Sequence, residues 1–494
     1  MCDSVTKKKI SEMTPQPNLK IIWEVALNKY TDLNRNLMEQ QGIFTDFLAS
    51  KSKIMLRALK ESKDVLFLDS DIIVMNTLKG VKDKRKLGVS RQFVNDKILR
   101  ETGEFNAGMI WTNSVDVCRD WIKYSKSSRY FEQAAIENLV EKYSYFEFGE
   151  EYNVQCWRYY LNPNPETEPF EKNISIGPDN MLLYKNEPFR CIHTHLRDDR
   201  FTAFNSLIIS YLNKTKNYRL LMILSRTLNE KWHIRIPQNQ HMDSFRELAC
   251  LMADKTPDLV VSKTNEKHCW LTPNILLYDR PTLEWCDCSL SSASLILLGN
   301  GDIKNEGKAL EEKFNATVMP WIFWPRHPTL VEGSIKSITE RTINCIFIGN
   351  IENSVQNFHR EKYINEWKDV VEHFECIYGK KHKYTQKEYL NKLQKSKYGL
   401  CLRGYGAKCH REIELMALGT VPIVVEGVNT DSFMEPLIEG KHFFRAESPK
   451  KLTSIIKNTS SEKWKKMSKN CVDWYIRNIH SKNAWSTMLS HILT

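Results

Sequence analysis

Val65-Leu66-Phe67-Leu68-Asp69-Ser70-Asp71-Ile72-Ile73-Val74-Met75 decides how this 494-residue chain is read. An apolar run of strand length delivers two carboxylates and then resumes as an apolar run. Unpaired carboxylates removed from water cost roughly several kcal/mol each, so a buried strand has no ready use for them. The strand is therefore expected to end at Leu68, with Asp69 and Asp71 facing a cleft that holds a cation. Asp-Ser-Asp supplies closely spaced hard oxygen ligands, which suit Mg2+ or Mn2+. A divalent ion that also held a diphosphate would neutralise charge developing on a nucleotide leaving group. The plainer reading is a loop of two solvated acids after a strand.

Three further pieces follow in order: Phe105-Asn106-Ala107-Gly108-Met109-Ile110-Trp111, Glu132-Gln133-Ala134-Ala135-Ile136-Glu137 and His193-Thr194-His195. Together with the Asp-Ser-Asp stretch they resemble the Asp-x-Asp region of GT-A glycosyltransferases, above all the nucleotide-diphospho-sugar transferase group. Glu132 stands where that group more often has Asp. The resemblance implies metal and donor binding by Asp69 and Asp71, donor binding by Asn106, Gly108 and Gln133, and a catalytic role for Glu132. It also implies a late His on the metal. Gly108 permits close backbone approach or positive φ, and Asn106 offers a donor and an acceptor to sugar hydroxyls. Read plainly, Asn106-Ala107-Gly108 is a tight turn and Glu132 a helix-surface acid. His193 and His195 alternate on a short strand and share one face. Either neutral imidazole is a competent ligand, and His195 is favoured.

A second constellation runs from Tyr398 to Val425: strand, Gly-rich loop, helix, turn, strand. Tyr398 to Leu402 is short and apolar, Gly404 and Gly406 open the loop, and a helix from about Cys409 to Leu418 ends at Gly419. Pro422 starts a buried, β-branched strand. Such a loop presents backbone N–H groups and a positive helix end to phosphate oxygens. Arg403 and Lys408 add charge, and Glu414 is placed to accept bonds from a ribose diol. This is the layout of a nucleotide site at the carboxyl ends of parallel strands. Read plainly, Glu412 and Glu414 are solvated helix charges and Arg403 belongs to an ion pair.

The passage is similar to the donor-binding half of GT-B glycosyltransferases and most like the exostosin family. Glu414 matches that family's acidic residue before the Gly-x-x-Pro turn. Gly406 stands where many GT-B enzymes carry a second acid, so the paired-acid motif is incomplete. Trp324-Pro-Arg-His-Pro328 and Cys345-Ile-Phe-Ile-Gly-Asn350 are also exostosin-like, the latter a strand ending in the first βα turn of a Rossmann-like half. The resemblance implies a site without an obligatory metal. His327 is the candidate general base on the acceptor side, with a structural role in its Pro-rich setting the alternative.

Length predicts two to four domains. The chain is expected to hold a mobile tail over 1–20 and a GT-A-like domain over 21–215, followed by an exostosin-like GT-B domain with its acceptor half over 216–335 and donor half over 336–494. The fold class is α/β throughout. Only Ile21-Ile22-Trp23 offers a candidate strand before Val65, so the first βα unit of the first domain is expected to be shortened or missing. Residues 37–59 read as one or two amphipathic helices with Lys51, Lys53 and Arg57 on solvated faces.

The net charge of +11 comes from Lys spread through the chain, as at Lys7-Lys8-Lys9, Lys380-Lys381 and Lys465-Lys466. No nucleic-acid-binding motif accompanies it, so no nucleic-acid partner is expected. A diffuse surplus also suits anionic nucleotide sugars. No apolar run approaches bilayer length and no signal-peptide core follows Met1, which predicts a cytoplasmic chain without a transmembrane segment. The 13 Cys include no Cys-x-x-Cys spacing, so neither zinc ribbons nor a disulfide framework is indicated. Asn173, Asn213, Asn315 and Asn458 head sequons that matter only in a secretory lumen. The expected function is a bifunctional glycosyltransferase that moves sugars from nucleotide sugars to hydroxyls of a glycan or glycoprotein. The alternative is a non-catalytic glycan- or partner-binding protein on degenerate transferase domains.

Overall fold

The structure is a computed structural model that describes residues 2–11, 20–161, 163–229, 231–272, 274–279, 288–335, 340–379 and 383–493. It is α/β and divides into two compact units, one holding the described residues up to Leu221 and the other those from Met222 onward. Lys380 and Lys381 lie outside the described residues.

In the first unit the apolar run ends at Leu68, as expected: Val65–Leu68 is one strand and Ile72–Val74 another, in a different sheet. Val65–Leu68 pairs antiparallel with Phe105–Thr112, which pairs antiparallel with Leu87–Arg91; that strand pairs parallel with Tyr145–Glu147. Every residue of Phe105–Thr112 is buried, because this strand is covered on both faces. Met55, Val117, Trp121 and Leu139 from three helices pack with Leu87, Val89 and Phe105 on one side. Met109, Trp111, Phe146 and Phe148 cluster separately. Ile72–Val74 joins Cys191–His193 and Val154–Gln155 in a second small sheet. Asp69 and Asp71 thus sit where the chain leaves one sheet and enters the next.

Several expectations need correction. Ile21-Ile22-Trp23 is not a strand, and Ile21 and Ile22 are exposed. Ser4–Ser11 is a helix where a mobile tail is expected, with Cys2 bridged to Val25. Asn106-Ala107-Gly108 runs within a strand rather than a turn, beside a register shift at Val89/Ser90. Residues 37–59 contribute to three short helices, Arg35–Gln40, Phe44–Leu48 and Ser50–Ala58.

The second unit contains two sheets. Six strands in the order Leu259–Thr264, Trp232–Pro237, Cys269–Leu271, Ile275–Tyr278, Leu295–Leu298 and Thr317–Pro320 form a mixed sheet. Five strands in the order His373–Tyr378, Ile343–Ile351, Ser396–Cys401, Val421–Val424 and Phe444–Arg445 are parallel throughout. The expected strand–loop–helix–strand is present, with the helix at His410–Ala417. Its end is set by Gly419, at φ 68°, where the Thr420 N–H bonds Leu415 O and the Gly419 N–H bonds Met416 O. Among the described residues no helix is long and apolar enough to cross a membrane.

Candidate functional site

Asp69, Asp71 and His193 form a group able to hold a metal ion, with ligand atoms all within 4.8 Å of one another. His193 Nε2 lies 3.1 Å from Asp71 Oδ1, and His195 Nδ1 lies 3.4 Å from Asp71 Oδ2. The compact group therefore uses His193, not the favoured His195. The His193 side chain is only 4% exposed whereas that of His195 is 48% exposed and outside the strand.

A chain of hydrogen bonds fixes which His193 nitrogen carries a proton. The Gly108 N–H donates to Asn106 Oδ1 at 3.0 Å, which identifies that atom as oxygen. Asn153 Nδ2 donates to the same oxygen at 3.0 Å, so Asn153 Oδ1 is the atom 3.2 Å from His193 Nδ1. Nδ1 must then be the donor. Neutral His193 consequently turns its Nε2 lone pair toward the Asp71 carboxylate. Two acceptors at 3.1 Å repel unless a cation lies with them, either a proton on Nε2 or a metal ion. Gly108 makes the arrangement possible, since a Cβ there would come within 2.3 Å of His193 Cε1. Of the two uses of a glycine, close approach applies here and positive φ does not.

Asn106 and Gln133 are thus corrected from sugar contacts to framework. Both are engaged internally: Asn106 Nδ2 faces Gln133 Oε1 at 3.4 Å, and Gln133 Nε2 donates to Thr102 O at 3.3 Å. Glu132 is not a surface acid; it is 7% exposed at the start of Phe131–Lys142 and pairs with Lys51 at 3.1 Å. Lys51 was expected on a solvated face. Instead its ammonium also lies 2.9 Å from Asp69 Oδ2, with the side chain 16% exposed. Burial pulls the Lys51 pKa down, but Glu132 and Asp69 outweigh it and the net shift is upward. Burial likewise works to raise Asp71; with a proton on His193 Nε2, the hydrogen bond and charge of His193, the Asp71 backbone N–H and the charge of His195 together outweigh it, and the net shift is downward. Lys51 and Asn153 are the residues that sequence reasoning missed; their only signal is partners far along the chain.

In the second unit a cavity of about 640 Å³ opens at the carboxyl ends of the parallel strands, lined in part by Ile348, Gly349, Asn350, Ile377 and Gly404. His327 and Arg326 are exposed and line it. Glu414 also lines it, but at 2% exposure rather than in a solvated cleft. Its carboxylate accepts from the Arg326 N–H at 3.1 Å and the Tyr389 hydroxyl at 3.0 Å.

The expected cations are redistributed. Arg403 is not among the lining residues; its carbonyl accepts from Arg360 Nε at 3.0 Å and its side chain lies by Gly427. Lys408 is buried, donating to Gly299 O at 2.7 Å and to Ser432 O, and burial pulls its pKa to about 7. Lys408 still lines the cavity, and Arg411 and Arg360 line it with Lys408 where Arg403 does not. Arg411 Nη2 donates to Ile348 O at 2.6 Å, while its Nε and Nη1 are buried without a partner. Gly349 makes room, since a Cβ would come within 2.7 Å of Arg411 Nη2. Gly404 and Gly406 both line the cavity, and an added Cβ would come within 2.7 Å of Cys409 Sγ at the first and 2.3 Å of Asn300 Oδ1 at the second. The helix start is capped by its own Glu412, whose carboxylate accepts the Cys409 N–H at 2.5 Å.

No family model matches the sequence, and no curated protein does. Among solved structures, the N-terminal domain of Candida albicans trehalose-6-phosphate phosphatase is similar at 10% identity and a TM-score of 0.28, over 60% of this chain and 77% of that one. That likeness is too low to carry an argument about fold or function.

Proposed function

We propose that the chain is a nucleotide-sugar glycosyltransferase whose first unit works with a bound Mn2+ or Mg2+ ion. The reading is carried by the His193 Nε2 lone pair set 3.1 Å from Asp71 Oδ1, beside Asp69. An octahedral ion with bonds of about 2.1 Å at right angles needs adjacent donors about 3 Å apart. The charges also suit it. Asp69, Asp71 and Glu132 carry three negative charges against one on Lys51, leaving two for a divalent ion. When bound, the ion would neutralise charge on the leaving diphosphate. Asn153 holds His193 in the ligating tautomer, and Trp157, 4.6 Å from its ring centre, holds the plane. Glu132 fixes Lys51 rather than meeting the sugar.

In the second unit the cavity has the size of a small-molecule site. We assign it a second nucleotide sugar, with Arg411 and Arg360 facing the diphosphate and His327 available as base toward an acceptor hydroxyl. Two observations favour the second reading, a binding protein on degenerate domains. Lys51 already pairs with Asp69, and no described strand precedes Val65–Leu68. Product analysis with a panel of nucleotide sugars and hydroxyl acceptors, with Mn2+ and with chelator, separates the two. Metal-dependent transfer lost in Asp71→Ala supports the transferase; binding of glycan with no turnover of any donor supports the alternative.

A further inference from the structure

Three carboxylates and one ammonium meet where the chain passes from the strand Val65–Leu68 to the strand Ile72–Val74; Asp69 and Asp71 belong to the metal group, whereas Lys51 and its partner Glu132 do not. Lys51 comes from the helix Ser50–Ala58 and is held on three sides. Asp69 Oδ2 lies 2.9 Å away, Glu132 Oε1 3.1 Å away, and the Phe67 ring centre 5.6 Å away. Asp69 is shared between this ammonium and the metal group. An ion on Asp69 Oδ2 would lie within about 5 Å of a fixed positive charge, and one on Oδ1 within about 7 Å, given metal–oxygen bonds of about 2.1 Å. Like charges so placed repel, and with the Lys51 side chain only 16% exposed little water screens them.

We infer that Lys51 is a positioning residue that couples metal binding to anion binding: it opposes a divalent ion arriving alone and favours one arriving with a diphosphate. An anion beside the ion attracts both cations, and the two attractions offset the repulsion between them. The ammonium keeps donor capacity for this, since it has three N–H groups and two carboxylate partners. The inference rests on the metal reading of the first unit, and adds that Lys51 sets how strongly metal and diphosphate depend on each other there.

The test is equilibrium dialysis of the full chain with Mn2+ alone and with Mn2+ plus inorganic pyrophosphate, corrected for the complex that forms in buffer. Wild type should bind Mn2+ about tenfold or more tightly when pyrophosphate is present, within the usual span of coupled sites. Lys51→Met should bind Mn2+ alone more tightly than wild type and lose most of the coupling. Lys51→Arg should keep it. Where Lys51→Met does not fold, Lys51→Gln, which still donates to a carboxylate, takes its place. Wild-type coupling in a folded Lys51→Met or Lys51→Gln protein overturns the role of Lys51 alone. A wild-type protein that binds no Mn2+ under either condition overturns the metal reading as well.

Discussion

At Gly108 a side chain is missing because an imidazole occupies its place. Gly108→Ala should push the His193 ring off its Asn153 partner and cost about 1–3 kcal/mol of stability, the usual penalty for an inserted methyl. Chemical denaturation measures the cost, and a Mn2+ titration should find affinity lowered with it. His442 makes a separate prediction. It accepts the Ile438 N–H on Nδ1 and is buried, and burial pulls its pKa down to about 4. The neutral form is therefore favoured in the fold. Its contribution, of the order of 2 kcal/mol, is present above the ordinary histidine value near 6.5 and is lost as pH falls through about 4. Denaturant melts of His442→Gln beside wild type should differ in slope across that window and run parallel above pH 7. The two carboxylates were legible because charge inside an apolar run has few explanations. Lys51 was not, because a lysine on an amphipathic helix reads as solvated until its partners at 69 and 132 are known.

Among elements, the helix His410–Ala417 was placed by its sequence almost to the residue, through the Gly419 cap and the flanking strands. What its N-terminus does was not legible. A Gly-rich loop before a helix suggests open amides, but the fold caps that end with Glu412 and sets Cys409 and Asn300 where a Cβ on either glycine would lie. The guanidinium groups that line the cavity are those of Arg411, Arg360 and Arg326, not that of Arg403. Arg411→Ala should weaken nucleoside diphosphate binding by about 1.5–3 kcal/mol, the scale of a charge-assisted hydrogen bond. Arg403→Ala should stay within about 0.5 kcal/mol of wild type, as for residues away from a site. Calorimetry of both variants checks the contrast. Equal losses would return Arg403 to the cavity.

On the scale of the whole molecule, the α/β class and the strands around the second unit's Gly-rich loop follow from apolar runs, at residues 345–349, 398–402 and 422–425. The first unit was harder. Its central strand Phe105–Thr112 carries Asn106 and Gly108, residues that signal a turn, and only the burial of its neighbours makes it a strand. Ligands should act on different stretches of chain. In hydrogen exchange, Mn2+ with pyrophosphate should slow residues 66–74 and 191–195, while nucleoside diphosphate without metal should slow 348–360 and 404–414. The most direct test of the metal centre is pulsed electron paramagnetic resonance on Mn2+ bound to the full chain, which detects an imidazole nitrogen coordinated to the ion. One histidine nitrogen coupling is expected, retained in His195→Gln and absent in His193→Gln. Bound Mn2+ with no nitrogen coupling, or a coupling that disappears with His195 and survives loss of His193, would contradict the account.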